Sequence, residues 1–579
     1  MSEELKQAIL NQTPTTEQQN AIFYEEKEFI LRSAPGSGKT WTSCRRFIWR
    51  GSNWQYSSGG LALLSFTNTA VNEFREAAKG VGKTVLLSEP NYIGTIDSFI
   101  ERFVITPFGH KLHNLPERPK LLLDQPKGLQ NNKFKAWKSI SHGRNMPVHA
   151  YDITPVVSDD DVKFTYQGAD LSINQNNPVI ELFKAGYYTH SQRLFFACLL
   201  LGENEHFLNL LARRFPEIII DEAQDTNQWV LVLLDALRKG GTKITLIGDP
   251  DQCIYEFSQA EPKSLENKKT EWSIPELPLS QSFRCNNRIA NAAKHISGNN
   301  DFTGRGDDTN QYCNAYIIRE SDTAKYGNSI QAFITKLEHC GIDKKNSKIL
   351  CRAHDQLQKI RGESRYLGLQ GVTKQIANVC FYRDVTKEYK ISYDIFVRVL
   401  RQLTTEEDFW TYFDENQEHE DVINLRITIW EFLKSQTKLP PISNNLNQWI
   451  TTVKTNIVQL ISDLQLSISG NIGSKIRVTG IAVEDRNLPL FEEESNLPAI
   501  RQETIHQVKG ETIEGVLVLG STKFFNKVVT SINNNESSEE RRLAYVAMTR
   551  AKHLLVISLP NSHYDKHRDT WLSWGFHDL

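Results

Sequence analysis

Three short stretches of this chain are apolar at nearly every consecutive position, the pattern of strands buried on both faces. They are Phe29–Leu31, Ile218–Ile220 and Ile244–Ile247, and each runs straight into glycine-rich or acidic sequence. Strands of this kind predict a parallel α/β sheet whose carboxyl ends carry the ligand sites. Elsewhere the period changes. Tyr393–Leu403 and Asn447–Leu466 have helix periodicity, and Asp161–Leu171 alternates like a short strand pair. Ser469–Ser474 and Asn533–Ser538 read as polar turns, and Glu492–Glu494 as solvated loop. No internal repeat or Pro-rich linker interrupts the chain. The longest apolar runs, such as Leu194–Leu201, are too short to cross a bilayer.

The chain has 579 residues, room for about three to five domains. Hydrophobic residues make up 39% and charged residues 23%, so neither half reads as disordered. A formal net charge of −2 argues against a protein that grips duplex DNA through an overall basic coat. It leaves room for a local groove that holds a strand by stacking and a few phosphate contacts. The eight cysteines form no C-x-x-C pair and no Cys/His cluster with ligand spacing, which excludes a zinc or iron–sulfur motif of that kind. Scattered free thiols and a polar Met1–Leu10 with no secretion signal predict a soluble, cytoplasmic protein without a membrane partner.

Phe29–Leu31 meets Ser33-Ala34-Pro35-Gly36-Ser37-Gly38-Lys39-Thr40, the strand, glycine-rich turn and helix start that a phosphate-binding loop needs. The glycines of this loop, Ala34 to Gly38, would let backbone N–H groups converge on phosphates, Lys39 would reach the β and γ oxygens, and the Thr40 hydroxyl would hold Mg²⁺. Ser33 stands where the general pattern opens with Gly. The Ile218–Ile220 strand ends in Asp221-Glu222-Ala223-Gln224-Asp225; Asp221 completes a Mg²⁺ shell and Glu222 is placed as general base for the attacking water. Past the third strand comes Gly248-Asp249-Pro250-Asp251-Gln252, where Gln252 reads either as a γ-phosphate sensor or as a turn residue.

Further segments complete an ordered set. They are Thr16–Ala21 with Gln18, Ser65-Phe66-Thr67-Asn68-Thr69-Ala70, Gly94-Thr95-Ile96-Asp97-Ser98-Phe99 and Gly248–Phe257. Leu279–Arg284, Ile505–Thr512 and Glu540–Lys552 follow. Together, from residue 18 to residue 552, they resemble the motifs of superfamily 1 helicases of the UvrD/Rep/PcrA kind. The resemblance implies two RecA-like P-loop NTPase domains with parallel sheets, each interrupted by a mainly helical accessory insertion. It divides the chain into 1–101 and 206–278 as the first RecA-like domain around an insertion at 102–205. The second would be 279–355 and 501–579 around an insertion at 356–500.

By the same resemblance Gln18 reads adenine, Phe283 stacks on it, and Arg284 and Arg550 grip the γ-phosphate of ATP from the second domain. Phe66, Tyr255, Phe257 and His506 match positions that stack or prop bases, and Thr67, Asn68 and Thr95 positions that bond phosphate or sugar. Tyr545 reads equally as core or as nucleotide contact. Three departures stand out: Asp97 where relatives carry His, Ser258-Gln259 where they carry Arg-Gly, and Glu511-Thr512-Ile513 where they carry Leu-Glu-Phe.

The expectation is an ATP- and Mg²⁺-dependent helicase or translocase on single-stranded DNA, with 3′→5′ polarity implied by the family. A second reading keeps the ATPase with little unwinding. The compact insertions and the G-E-T after Lys509 resemble the helicase-like subunit of Gabija-type antiphage systems, which pairs with an OLD-like nuclease and serves antiviral defence. A non-catalytic DNA-binding scaffold would be expected to have lost Lys39, Glu222 or an arginine, and all are present. A fused nuclease is not expected after the last motif.

Overall fold

Ile218 and Ile220 point into one hydrophobic cluster and Ile219 into another, so the Glu217–Ile220 strand is covered on both faces. Phe29–Ser33 and Lys243–Gly248 are split the same way, with Ile30, Ile244 and Leu246 on one side and Phe29, Leu31 and Ile247 on the other. This is the physical reason for their unbroken apolar runs. In the computed structural model the six strands lie side by side. Their order is Glu276–Leu279, Phe29–Ser33, Lys243–Gly248, Glu217–Ile220, Leu61–Ser65 and Tyr92–Thr95, and every pairing is parallel. The structure describes residues 2–66, 68–80, 82–122, 131–140, 144–158, 161–173, 176–254, 261–299, 301–323, 326–352, 356–357, 360, 369–384, 387–406, 409–410, 412–413, 419–441, 443–478, 484–487 and 500–579.

The chain folds into two units, one made of Met1–Arg319, Thr335–Ser347 and Ile505–Leu579, the other of Glu320–Ile334 and Lys348–Thr504. The first unit holds the six-stranded sheet. It also holds a second run of strands in the order Ile513–Leu519, Ala551–Pro560, Ala315–Glu320 and His577–Asp578. Parallel register joins the first two of these and the last two. Side-chain caps start the flanking helices: Asn286 on Asn287–Ser297, Ser521 on Thr522–Asn533 and Ser538 on Glu539–Met548. The polar Asn533–Ser538 stretch is the turn between the last two.

Between Tyr92–Thr95 and Glu217–Ile220 the stretch 102–205 mixes helix with strand. It contains a hairpin of Lys135–Ile140 with Arg144–His149, and three antiparallel strands Thr154–Ser158, Asp161–Tyr166 and Ala169–Asp170. Two- to six-residue strands leave little periodicity, so "mainly helical" describes the second insertion better than this one. The apolar run Leu194–Leu201 lies in the helix Arg193–Glu203, whose Phe195, Phe196 and Leu200 are core residues. Among the described residues no single helix is long and apolar enough to cross a membrane.

The second unit is mostly helical. Its helices Gly371–Asp384, Tyr389–Leu403, Glu420–Lys434 and Leu446–Asp463 enclose a core in which Trp449 is fully buried and Phe396 stacks on Phe432 at 5.6 Å. Of the two segments with helix periodicity, Tyr393–Leu403 falls inside Tyr389–Leu403, and Asn447–Leu466 overruns the end of Leu446–Asp463 by three residues. A parallel strand pair, Lys348 opposite Arg501 through Cys351 opposite Thr504, completes the unit.

Candidate active site

The turn after Phe29–Ser33 needs glycine for two reasons. Gly36 and Gly38 have φ of +71° and +79°, in the left-handed region. A Cβ at Gly36 would stand 2.6 Å from Arg284 Cβ, and one at Gly38 would stand 2.9 Å from Gln18 Nε2. Gly38 is the N-cap of Lys39–Ser52 and offers no side chain, so the first amides of that helix face the loop without a capping partner. Ser37 Oγ is buried with no hydrogen-bond partner. The loop is clamped from outside: Ala34 N–H donates to Leu279 O at 2.7 Å, and Ser282 Oγ donates to Pro35 O at 2.7 Å. These features form a cradle that fits polyphosphate.

Thr40 Oγ1 donates to Asp221 Oδ2 at 3.1 Å, while Asp221 Oδ1 is buried and has no hydrogen-bond partner. Burial, then the neighbouring Glu222 charge, raises the Asp221 carboxyl well above the ordinary range. A divalent cation would relieve both the charge and the free oxygen, so Thr40 and Asp221 fit Mg²⁺. Lys39 Nζ lies 2.9 Å from Glu222 Oε2. Burial works against charge on Glu222, but Lys39, Lys509 and Gln224 outweigh it and hold this carboxyl low. One carboxyl is pushed up and its neighbour pulled down, the separation that lets two acids take different roles. Glu222 sits at φ +57°, a strained backbone for a side chain of this kind.

From Glu222 a chain of hydrogen bonds runs to the helix-to-strand corner at Arg550. Gln224 Nε2 donates to Glu222 Oε2 (2.5 Å), and Gln224 Oε1 accepts from Asp249 N–H (3.0 Å). Gln252 Nε2 then donates to Asp249 Oδ2 (2.6 Å), and Arg550 Nη2 to Gln252 Oε1 (2.9 Å). Gln252 ends the short turn Pro250–Gln252, and its side chain bridges two motifs. Arg550 is 1% exposed, and burial followed by the like charge of Arg284 pushes its pKa down to about 9. An anion between these arginines would favour both charges. Lys509 Nζ bonds both oxygens of Asp225 (2.7 and 2.6 Å) and Gln252 O (2.9 Å).

Arg284 is held elsewhere. It donates to Thr512 Oγ1 (2.9 Å), Thr549 O (3.1 Å) and Gly510 O (3.4 Å), and not to the Lys39–Glu222 pair. Phe283 is 48% exposed, and its N–H donates to Gly36 O (2.8 Å), which ties its backbone to the loop. Gln18 is buried, with Oε1 accepting from Thr15 N–H and Nε2 donating to Ser37 O, both at 3.0 Å. Tyr545 is 1% exposed and edge-on to Phe302, a core position.

The strand-binding candidates are less gathered. Phe66 is half-buried against the sheet core. Thr95 Oγ1 accepts from Ser98 N–H (3.1 Å) and donates to Ser98 Oγ (2.8 Å), at a cleft of about 570 Å³ that Asn72, Arg75 and Arg102 also line. His506 Nε2 lies 3.2 Å from Ile254 O. Asn68 opens the helix Asn68–Gly80. Thr67, Tyr255 and Phe257, like Ser258-Gln259 and Glu492–Glu494, lie outside the described residues. Asp97, the departure from His, has its carboxylate 2.5 Å from the guanidinium of Arg193. Gln224, Asp225, Asp249 and Lys509 join the site from inside the motifs. The signal for the first three was a polar side chain just past an apolar strand; for Lys509 there was none.

The UvrD/REP helicase N-terminal domain family matches residues 14–121 and 180–273, and the UvrD-like helicase C-terminal domain family matches 482–562. The ATP-dependent DNA helicase Rep of Buchnera aphidicola subsp. Schizaphis graminum (strain Sg) is 23% identical over 625 residues, covering 92% of this chain and 91% of that protein. DNA helicase II of Haemophilus influenzae (strain ATCC 51907 / DSM 11121 / KW20 / Rd) is 22% identical over 632 residues, covering 92% and 82%. The ATP-dependent DNA helicase Rep of Escherichia coli (strain K12) is 24% identical over 303 residues, covering 49% and 43%.

Proposed function

This chain belongs to the UvrD-like superfamily 1 helicases, and we propose that it is an ATP-dependent DNA helicase that moves 3′→5′ along single-stranded DNA. The first RecA-like domain is assigned to 1–101 and 206–278, the second to 279–355 and 501–579, with accessory insertions at 102–205 and 356–500. Bound Mg²⁺ would supply a positive charge against the phosphates, held by Thr40 and Asp221. The loop from Ala34 to Gly38 wraps the polyphosphate, with the backbone N–H groups of its glycines and of the helix start at Lys39 and Thr40 as donors. Lys39 is the phosphate ligand, and its present partner Glu222 is then free to take a proton from water at its carboxylate. Gln252 and Arg550 sense and stabilise negative charge across the site, and Arg284 joins them by leaving its bonds to Thr512, Thr549 and Gly510.

The observation that carries this reading is the chain of hydrogen bonds from Lys39 and Glu222 through Gln224, the backbone N–H and carboxylate of Asp249, and Gln252 to Arg550. It ties a phosphate site to residues far along the sequence, the arrangement a motor needs if nucleotide is to change the contact between its halves. The contacts assigned to the strand are Phe66, Thr67, Asn68, Thr95, Tyr255, Phe257 and His506, which stack on bases or bond the backbone without reading sequence. A cytoplasmic setting agrees with eight cysteines that form no disulfide.

Steady-state ATP hydrolysis with and without single-stranded DNA tests the proposal. DNA should stimulate hydrolysis, and Glu222→Gln should lower the stimulated rate by about 10²–10⁴-fold with ATP binding retained. An unstimulated wild-type rate would sink the motor reading. One observation favours a second reading, a DNA-sensing subunit with little unwinding: Ile423 and Ile427 stand one turn apart on Glu420–Lys434, 42% and 47% exposed. They offer a docking face for a protein such as an OLD-like nuclease. DNA-stimulated hydrolysis without strand displacement, with displacement absent from the Ile423→Ser, Ile427→Ser variant as well, would favour it.

A further inference from the structure

The hairpin of Lys135–Ile140 and Arg144–His149 has two unlike faces. Ala136 and Val148 are cross-strand partners, 6% and 1% exposed, and belong to the core that backs the main sheet. One residue either way the side chains point outward. Lys135 pairs there with His149, and Trp137 with Pro147. Trp137 is 50% exposed on this outer face, and His149 carries the Tyr151 ring stacked on it at 4.9 Å and 8°. Just before the hairpin, the Lys133 ammonium lies over the Phe134 ring at 4.7 Å.

Charge is distributed unevenly in the same region. Residues 111–149 hold eight Lys or Arg against two acidic residues, in a chain whose formal net charge is −2. A polyanion is the complement of such a stretch, and the outward tryptophan narrows the choice. An open indole face between lysines suits a base with its π-face free, and a base is free in a single strand but not inside a duplex. The protein core gains nothing from this ring, because the hairpin is already anchored by Ala136 and Val148.

We propose that the outer face of this hairpin is a second single-stranded nucleic-acid site, with Trp137 stacking on a base and Lys133 and Lys135 contacting flanking phosphates. The inference rests on the reading of the chain as a DNA motor and adds a grip outside its ATP-linked contacts. Lys135 and Trp137 belong to none of the helicase motifs, so they can be altered without touching the nucleotide site.

The test uses the full chain and dye-labelled oligothymidylates of about 10 and about 30 nucleotides, short enough for one site and long enough for two. Affinity is read by fluorescence anisotropy over a salt series. Trp137→Ala should weaken the long oligomer about tenfold and leave the short one unchanged, while Trp137→Phe keeps most of the affinity. Lys133→Ala with Lys135→Ala should flatten the slope of log K against log salt by about 1.4 for the long oligomer alone. Unchanged binding of the long oligomer by Trp137→Ala overturns the proposal, and so does an equal loss on both lengths or a Phe variant as weak as Ala. ATPase stimulation of the wild type by the short oligomer scores the motor separately. If it fails while the long-oligomer effect stands, the motor reading falls and the hairpin site remains.

Discussion

Asp225 shows how a buried ion pair can carry a pH dependence. Burial pushes its carboxyl up to about 6 against the pull of Lys509, whose ammonium bonds both of its oxygens. The charged carboxylate therefore holds Lys509, and with it Gln252 O, above about pH 6, and the grip is lost as pH falls through that value. The ATPase rate should show an acid limb centred near pH 6. Asp225→Asn should have the low rate at every pH, with a profile flat through the same window. Stability runs the other way. A folded-state value above the ordinary 3.8 means that charging Asp225 costs stability above about pH 6, a cost that fades towards pH 3.8. The acid limb is therefore local, and a far-UV circular dichroism signal unchanged from pH 7 to pH 5 would separate it from unfolding.

At the scale of elements, the cap on Asn287–Ser297 does more than start a helix. Asn286 accepts from Ile289 N–H (2.9 Å) and donates to Asp308 Oδ2 (2.8 Å) and His553 O (3.1 Å), tying the helix to a loop and to the Ala551–Pro560 strand. Asn286→Ala would lose the cap and leave buried partners unsatisfied, at a cost of about 2–4 kcal/mol by chemical denaturation, against about 1 kcal/mol for an ordinary exposed cap. A loss near 1 kcal/mol would show that the buried partners contribute little. The same corner brings Asp308, Cys313 and His553 within 4.8 Å of one another, a grouping that sequence spacing did not disclose. Arg305 Nη2 lies 2.6 Å from Asp308 Oδ1 and 3.0 Å from His553 Nδ1, so this cluster already has its positive charge. Elements were legible in proportion to their length and period. The Tyr389–Leu403 and Leu446–Asp463 helices and the fully apolar strands were visible, whereas the short strands of 102–205 were mostly not.

For the molecule as a motor, nucleotide and DNA must share free energy. Whatever factor bound DNA adds to nucleotide affinity, bound nucleotide must add to DNA affinity. If the Gln252–Arg550 bond carries that link, Gln252→Ala and Arg550→Ala should each shrink both factors equally, and the double variant should lose no more than either single one. Equilibrium titration of a non-hydrolysable ATP analogue with and without single-stranded DNA, and the reverse titration, would measure this. Full coupling in Gln252→Ala would place the link elsewhere, with Lys509–Asp225 the next candidate.

Sequence alone determined the chemistry that depends on local order. A glycine turn between strand and helix, carboxylates at the end of an apolar strand and the order of motifs from 18 to 552 need no distant partner to be read. The residues 33–40, Asp221, Glu222, Gln252 and Arg550 could be named on that ground. Tertiary structure decided which of them meet and how they are charged. Burial separates the carboxyls of Asp221 and Glu222, folding brings Arg550 to Gln252 across 298 positions, and Arg284 rests on Thr512 and Thr549. It also set the hairpin so that Ala136 faces in and Trp137 faces out. Pairing, burial and dielectric are properties of neighbours in space, and a chain read in one dimension does not contain them.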